Sequence, residues 1–134
     1  MQWYEQLDHT ADLAFRIYGR DLPELFAHAA QALFSHLTTL EAIQPSQQEQ
    51  VCVQATDCET LLVDWLNELL YLHETKGRLY CRFEITHLSD SRLEATIHGQ
   101  DGARVETIVK AATYHDLAIE KTDAGYVATV VFDV

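Results

Sequence analysis

The sequence of 134 residues has little of several residue types that would specialise a chain. It has only five glycines, and none cluster, which excludes a glycine-rich phosphate loop. Three cysteines, Cys52, Cys58 and Cys81, make an odd number, and no pair has the two-residue spacing of a zinc clamp or redox motif. Reduced thiols are therefore expected, each packed as a small apolar side chain. Cations are also scarce. Nine Lys+Arg stand against 21 Asp+Glu, for a formal net charge of −12 and a pI near 4.8. Phosphate neutralisation supplies most of the affinity of ordinary nucleic-acid binders, so direct binding of RNA or DNA by this chain alone is not expected. An anionic membrane surface is disfavoured for the same reason. A basic protein partner or a bound cation suits the charge. No apolar run approaches the length of a spanning helix. The opening Met1-Gln2-Trp3-Tyr4-Glu5 has no basic or apolar signal region, so a cytoplasmic location is expected.

What is present is ordinary globular composition, 48% hydrophobic and 22% charged. Length and the absence of repeats predict one domain over residues 1–134. Glu41 to Gln50, with four glutamines and Pro45, reads as a loop within it. Two helices are signposted. Asp21-Leu22-Pro23-Glu24 places a capping Asp before an early Pro. Leu22, Leu25, Phe26, Ala29, Leu33, Phe34 and Leu37 then follow as one apolar stripe ending near Thr38. A second capping-box pattern, Thr56-Asp57-Cys58-Glu59, precedes Leu61, Leu62, Trp65, Leu66, Leu69, Leu70 and Leu72, with Gly77 as the stop. The second stripe is wider, so this helix is expected to be the more buried one.

The remainder reads as strands. Leu79, Cys81, Phe83 and Ile85 alternate with polar partners over Arg78 to Leu88, and Arg92 to His98 alternates again after a Ser89-Asp90-Ser91 turn. Leu117 to Lys121 and Tyr126 to Phe132 flank a second turn. Trp3 to Leu7, Leu13 to Tyr18 and Gln50 to Ala55 are also β-like. The prediction is an α+β fold: a single domain with two amphipathic helices packed on an antiparallel sheet.

Three places could carry chemistry. Asp8-His9-Thr10-Ala11-Asp12 reads first as a turn, since Asp, His and Thr are common turn formers. Its second reading is a cation site, because two carboxylates and an imidazole can converge there. Phe132-Asp133-Val134 closes a strand-like run and would bring the Asp133 side chain close to a terminal carboxylate. If that strand lay beside the Asp8–Asp12 turn, a divalent cation would relieve the crowding. Lys110-Ala111-Ala112-Thr113-Tyr114-His115 reads first as a strand with a solvated Lys and a half-buried Tyr. Its second reading is a donor set for a phosphate or an acidic partner group. No nucleophile elbow and no i, i+4 histidine pair is present.

These segments, taken with Asp64-Trp65-Leu66-Asn67-Glu68-Leu69-Leu70-Tyr71, resemble the archease family in order and over the whole chain. Ala112 stands where a Val is usual, an apolar exchange that leaves the polar residues in place. The resemblance implies a small acidic protein, not an enzyme. Such a protein is a cofactor of the GTP-dependent RNA-splicing ligase, which joins a 2′,3′-cyclic phosphate or 3′-phosphate end to a 5′-hydroxyl end. It promotes guanylylation of that ligase and multiple turnover, in tRNA splicing or RNA repair. Carried over, the metal residues are Asp12, Asp133 and Val134, and the cation is Ca²⁺, with Mg²⁺ or Mn²⁺ as alternatives. Asp8, His9, Lys110, Tyr114 and His115 carry over as residues that support the site or touch the partner. Two other readings stand beside this one. The first is an autonomous metal-dependent hydrolase, with Asp8, His9 and Asp12 around the ion and His115 as acid or base. The second is a chaperone-like scaffolding module.

Overall fold

The computed structural model describes residues 3–7 and 12–134. Its elements are β1 (Tyr4–Leu7), β2 (Leu13–Gly19), α1 (Leu22–Leu37), a 3₁₀ turn at Leu40–Ala42, β3 (Gln47–Gln54) and α2 (Cys58–Lys76). They continue with β4 (Arg78–Leu88), β5 (Arg92–Asp101), β6 (Ala111–Ala112), β7 (Ala118–Thr122) and β8 (Gly125–Asp133). The α+β expectation holds, with the strands divided into two antiparallel sheets. One runs β1-β2-β8-β6, with β7 also on β8; the other runs β3-β5-β4. The second edge of β8 is shared. β7 pairs with its first half, from Thr122 opposite Gly125 to Ala118 opposite Thr129, and β6 pairs with Phe132 and Asp133 at its end. No helix among the described residues is long and apolar enough to cross a membrane.

Helix α1 starts as expected. The Asp21 carboxylate accepts from the Glu24 N–H at 2.9 Å, which satisfies one of the orphan donors of the first turn. Glu24 reaches back one residue further than a capping box requires, to the Arg20 N–H at 3.1 Å and to its guanidinium. Helix α2 is capped by Asp57, which accepts from the Thr60 N–H at 2.8 Å. The cap therefore lies one residue after Thr56, and Glu59 is out of register to close a box. Gly77 ends the helix in the left-handed conformation, φ 62°, its N–H returned to the His73 carbonyl. That is the geometry in which a glycine costs least.

The expected ranking of the helices is reversed. Nine of the 16 residues of α1 are buried, against seven of the 19 of α2. The reason lies in tertiary placement: α1 packs against β2 of one sheet and β4 of the other, whereas α2 packs mainly on the second sheet and β6. Leu72, a member of the predicted apolar stripe, is only half-buried, and Val63 is buried in its stead.

Two strand expectations also change. Gln47 to Gln50 belong to β3, because backbone pairing from Gln47 opposite Gly99 to Gln54 opposite Arg92 satisfies a polar segment that sequence alone reads as loop. In β4 the alternation breaks at a bulge between Tyr80 and Arg82, so that Leu79 and Tyr80 are both buried and Cys81 is only half-buried. Cys52, expected to be packed, is exposed.

The inward turn of Tyr80 is tied to one half-buried anion. Its hydroxyl donates to the Glu49 carboxylate, which also receives Lys76 Nζ at 2.5 Å and Arg78 Nη1 at 3.2 Å. Burial pushes the Glu49 carboxyl up, but hydrogen bonds from Lys76 and Tyr80 and the charge of Arg78 together hold it below the usual range. A carboxyl whose pKa is depressed in the folded state stabilises the fold above its unfolded pKa of about 4.3, and that stabilisation is lost as pH falls through the folded value. Glu49→Gln should therefore flatten the acid limb of stability. Urea unfolding of both chains between about pH 7 and pH 3 reads the effect; equal pH slopes would remove the assignment.

Candidate functional site

The described residues of the three polar segments, Asp12 alone from the first of them, lie about the end of β8. Strand β2 runs antiparallel to β8, with Leu13 opposite Phe132. Asp12 thus lies one residue before the last pair on β2, and Asp133 one residue after it on β8. On the other side of β8, Ala111 stands opposite Asp133, and the Lys110 N–H donates to the Asp133 carbonyl at 2.8 Å. Thr113 locks the next rung: its N–H and its hydroxyl both donate to the Val131 carbonyl at 2.9 Å. Phe132 points inward and is fully buried, so strand alternation turns Asp133 to the opposite face, where it is exposed.

Strand β6 is too short to hold itself. What fixes its second edge is the side chain of Asn67 on α2. Asn67 Nδ2 donates to the Ala112 carbonyl at 3.1 Å, and the Ala112 N–H donates to Asn67 Oδ1 at 2.7 Å. One primary amide thereby satisfies both backbone groups of a strand residue, as a neighbouring strand would. One turn earlier on the same helix, Asp64 accepts from the Tyr114 hydroxyl at 3.3 Å. Partial desolvation and the Asp64 charge push the Tyr114 phenol up. The ring itself is 59% exposed, not half-buried as the sequence suggested. His115 is exposed and lies 3.3 Å from Asp116, which takes a left-handed backbone, φ 53°.

Asp133, Val134 and Lys110 are therefore adjacent, with Asp12 just before the start of the neighbouring strand β2. Tyr114 and His115 sit just beyond β6, Tyr114 on the α2 side. Asp8 and His9 lie outside the described residues. Among the described residues, no three His, Cys, Asp or Glu side chains converge as a metal cluster. The donors at this strand end are carboxylate oxygens, the type that hard divalent cations take. Carboxylates on facing strand positions also repel one another unless a counter-charge intervenes.

Sequence reasoning gives no role to Asn67. The available signal is a weak helix former in the middle of a leucine-rich stripe, where a side-chain bond to the backbone of another segment would justify it. Asn67→Ala should leave two backbone groups of Ala112 without partners and cost about 1–3 kcal/mol. Amide exchange at residues 110–113 should rise while α2 stays protected. Unchanged exchange there would show that β8 alone holds β6.

The comparisons with known proteins agree with this fold. A family model described as the Archease protein family matches residues 4–134. The protein archease of Methanosarcina mazei is 36% identical over 98% of this chain and 95% of its own length. That of Methanopyrus kandleri is 35% identical over all of both chains. A solution structure of a Methanobacterium thermoautotrophicum protein superposes with a TM-score of 0.82, at 33% identity and covering all of both chains. A crystal structure from Thermotoga maritima, described as an archease and "possible chaperone", superposes at 0.70, with 26% identity over 97% of this chain and 96% of that one. Sequence, fold and the order of the segments at the end of β8 thus converge, and this chain belongs to the archease family.

Proposed function

We propose that this protein is a metal-binding, non-catalytic partner of a GTP-dependent RNA-splicing ligase, promoting guanylylation and multiple turnover of that enzyme in the cytoplasm. The observation that carries the reading is the convergence of Asp12, Lys110 and Asp133 on one strand end, in a chain of the archease family. Asp12, Asp133 and an oxygen of Val134 would hold a hard divalent cation, Ca²⁺ first, with Mg²⁺ or Mn²⁺ as alternatives. Asp8, His9, Lys110, Tyr114 and His115 would border it, Lys110 supplying a fixed cation beside the acidic pair. The bound ion would neutralise the crowded carboxylates. The chain's own contribution is to hold those oxygens at the junction of β2, β6 and β8. A net charge of −12 suits a basic protein partner and disfavours bare RNA.

Two measurements test this. Ligase turnover with the ligase limiting should rise when this protein is added, and an Asp12→Ala, Asp133→Ala double variant should lose the effect. Thermal melts should shift upward with Ca²⁺ and return with EDTA, since a ligand at a hundred times its Kd stabilises by about 2.7 kcal/mol. Activation by the double variant equal to the original, with no metal-dependent shift in either chain, would leave the proposal without support.

A further inference from the structure

Among the described residues, five large apolar side chains remain exposed: Tyr71, Val105, Ile108, Tyr114 and Val134. They are not scattered over the molecule. Four lie on the 105–114 segment or at the end of β8, and the fifth lies on the helix that holds this segment. The segment runs antiparallel along α2, because Tyr114 meets Asp64 and Ala112 meets Asn67. Tyr71, one turn after Asn67, therefore lies beside the residues that precede Ala112. Val109 is 2% exposed and anchors that stretch. Its neighbours Ile108 and Lys110 are both exposed, Ile108 at 73%.

The opposite kind of surface covers the second sheet. Its outward positions carry Gln48, Gln50, Cys52, Thr96 and His98, with no large apolar side chain exposed. Apolar exposure confined to one side of a molecule marks a contact surface, and tyrosine is enriched in such surfaces. The rim is acidic. Glu68 and Glu74 stand three residues before and after Tyr71 on α2, on the same helix face, and Asp64 and Asp133 extend the rim. Two copies of this chain meeting through the ridge would bring those carboxylates together, which opposes self-association.

We propose that Tyr71, Ile108 and Tyr114 form the ridge on which a basic protein partner docks, with an apolar recess for these side chains and Lys or Arg around it. The inference rests on the reading that the partner is the RNA-splicing ligase. An enzyme that grips RNA phosphates must present cationic surface, and that surface complements the carboxylates around this ridge. Docking here would also place the partner directly beside Lys110 and Asp133.

The test uses the full-length chain and the host's purified RNA-splicing ligase, with binding followed by calorimetry at low and high salt. A Tyr71→Ala, Ile108→Ser double variant should bind at least tenfold more weakly, and binding of the unaltered chain should weaken as salt rises. The variant should melt like the parent and keep the same metal-dependent shift, because both side chains are mostly solvent-exposed and neither is one of the carboxylate donors. Gln50→Ala and Thr96→Ala, on the polar sheet face, should bind normally. Equal binding by the double variant would overturn the ridge and leave the functional reading intact. No ligase binding by the unaltered chain would remove both. A homodimer in sedimentation that the double variant dissociates would assign the ridge to a second copy and overturn the proposal.

Discussion

Replacing Trp65 by alanine is expected to cost about 3–5 kcal/mol, the range for removing a large aromatic side chain from a core. Trp65 is fully buried and sits edge-on to Phe83, with ring centroids 6.4 Å apart. Its indole N–H donates to the Phe26 carbonyl at 3.0 Å, which ties α2 to α1 across the middle of the molecule. The alanine variant therefore loses ring packing and this polar tie between the helices. Trp65→Phe keeps most of the volume and removes the donor together with its need for a partner, so it should cost less than half as much. Urea unfolding with a circular dichroism readout separates the two. A Trp65→Ala chain with parental stability that only fails to bind a partner would show the residue to be contact surface.

The second large effect is expected at Gly19, where β2 gives way to α1. A Cβ on Gly19 would lie 2.4 Å from the Leu25 backbone nitrogen, 2.7 Å from its Cα and 2.9 Å from the Asp21 carbonyl oxygen. All three neighbours are backbone, so no side chain can swing aside. The first turn of α1 would have to move from its cap. Gly19→Ala should cost about 3 kcal/mol, the upper end for overpacking, and lower the Tm by about 10 °C. Gly77→Ala is the contrast. A methyl group there would meet nothing within 4 Å, and only the left-handed φ of 62° is strained, so the cost should be about 1 kcal/mol. Similar losses at both positions would mean that close approach does not govern Gly19.

The two glycines differ in what announces them. Gly77 follows a helical stripe and reads as a stop from local pattern alone. Nothing near Gly19 in the chain says that Leu25 will press on it, because the contact arises only when α1 folds back over β2. The site divides along the same line. Asp12, Lys110 and Asp133 are each legible as members of polar segments, and the family resemblance supplies their grouping. Asn67 holds β6 in place, and the chain around it signals only a poor helix former among leucines, without naming its partner, which lies 45 residues away.

Local pattern determined the two helices, their Asp21 and Gly77 boundaries, the two hairpins and the α+β class, because capping, periodicity and turn chemistry act over a few residues. Composition determined the acidic character that disfavours bare nucleic acid. Tertiary structure alone decided that the strands form two sheets and that α1 is the more buried helix. It also decided that Tyr80 turns inward on Glu49 and that β2 and β8 lie side by side with Asp12 and Asp133 at one end. These outcomes depend on pairings between segments as far apart as residues 13 and 132. Such pairings are selected by the packing of the whole core, and no short stretch of sequence carries that information.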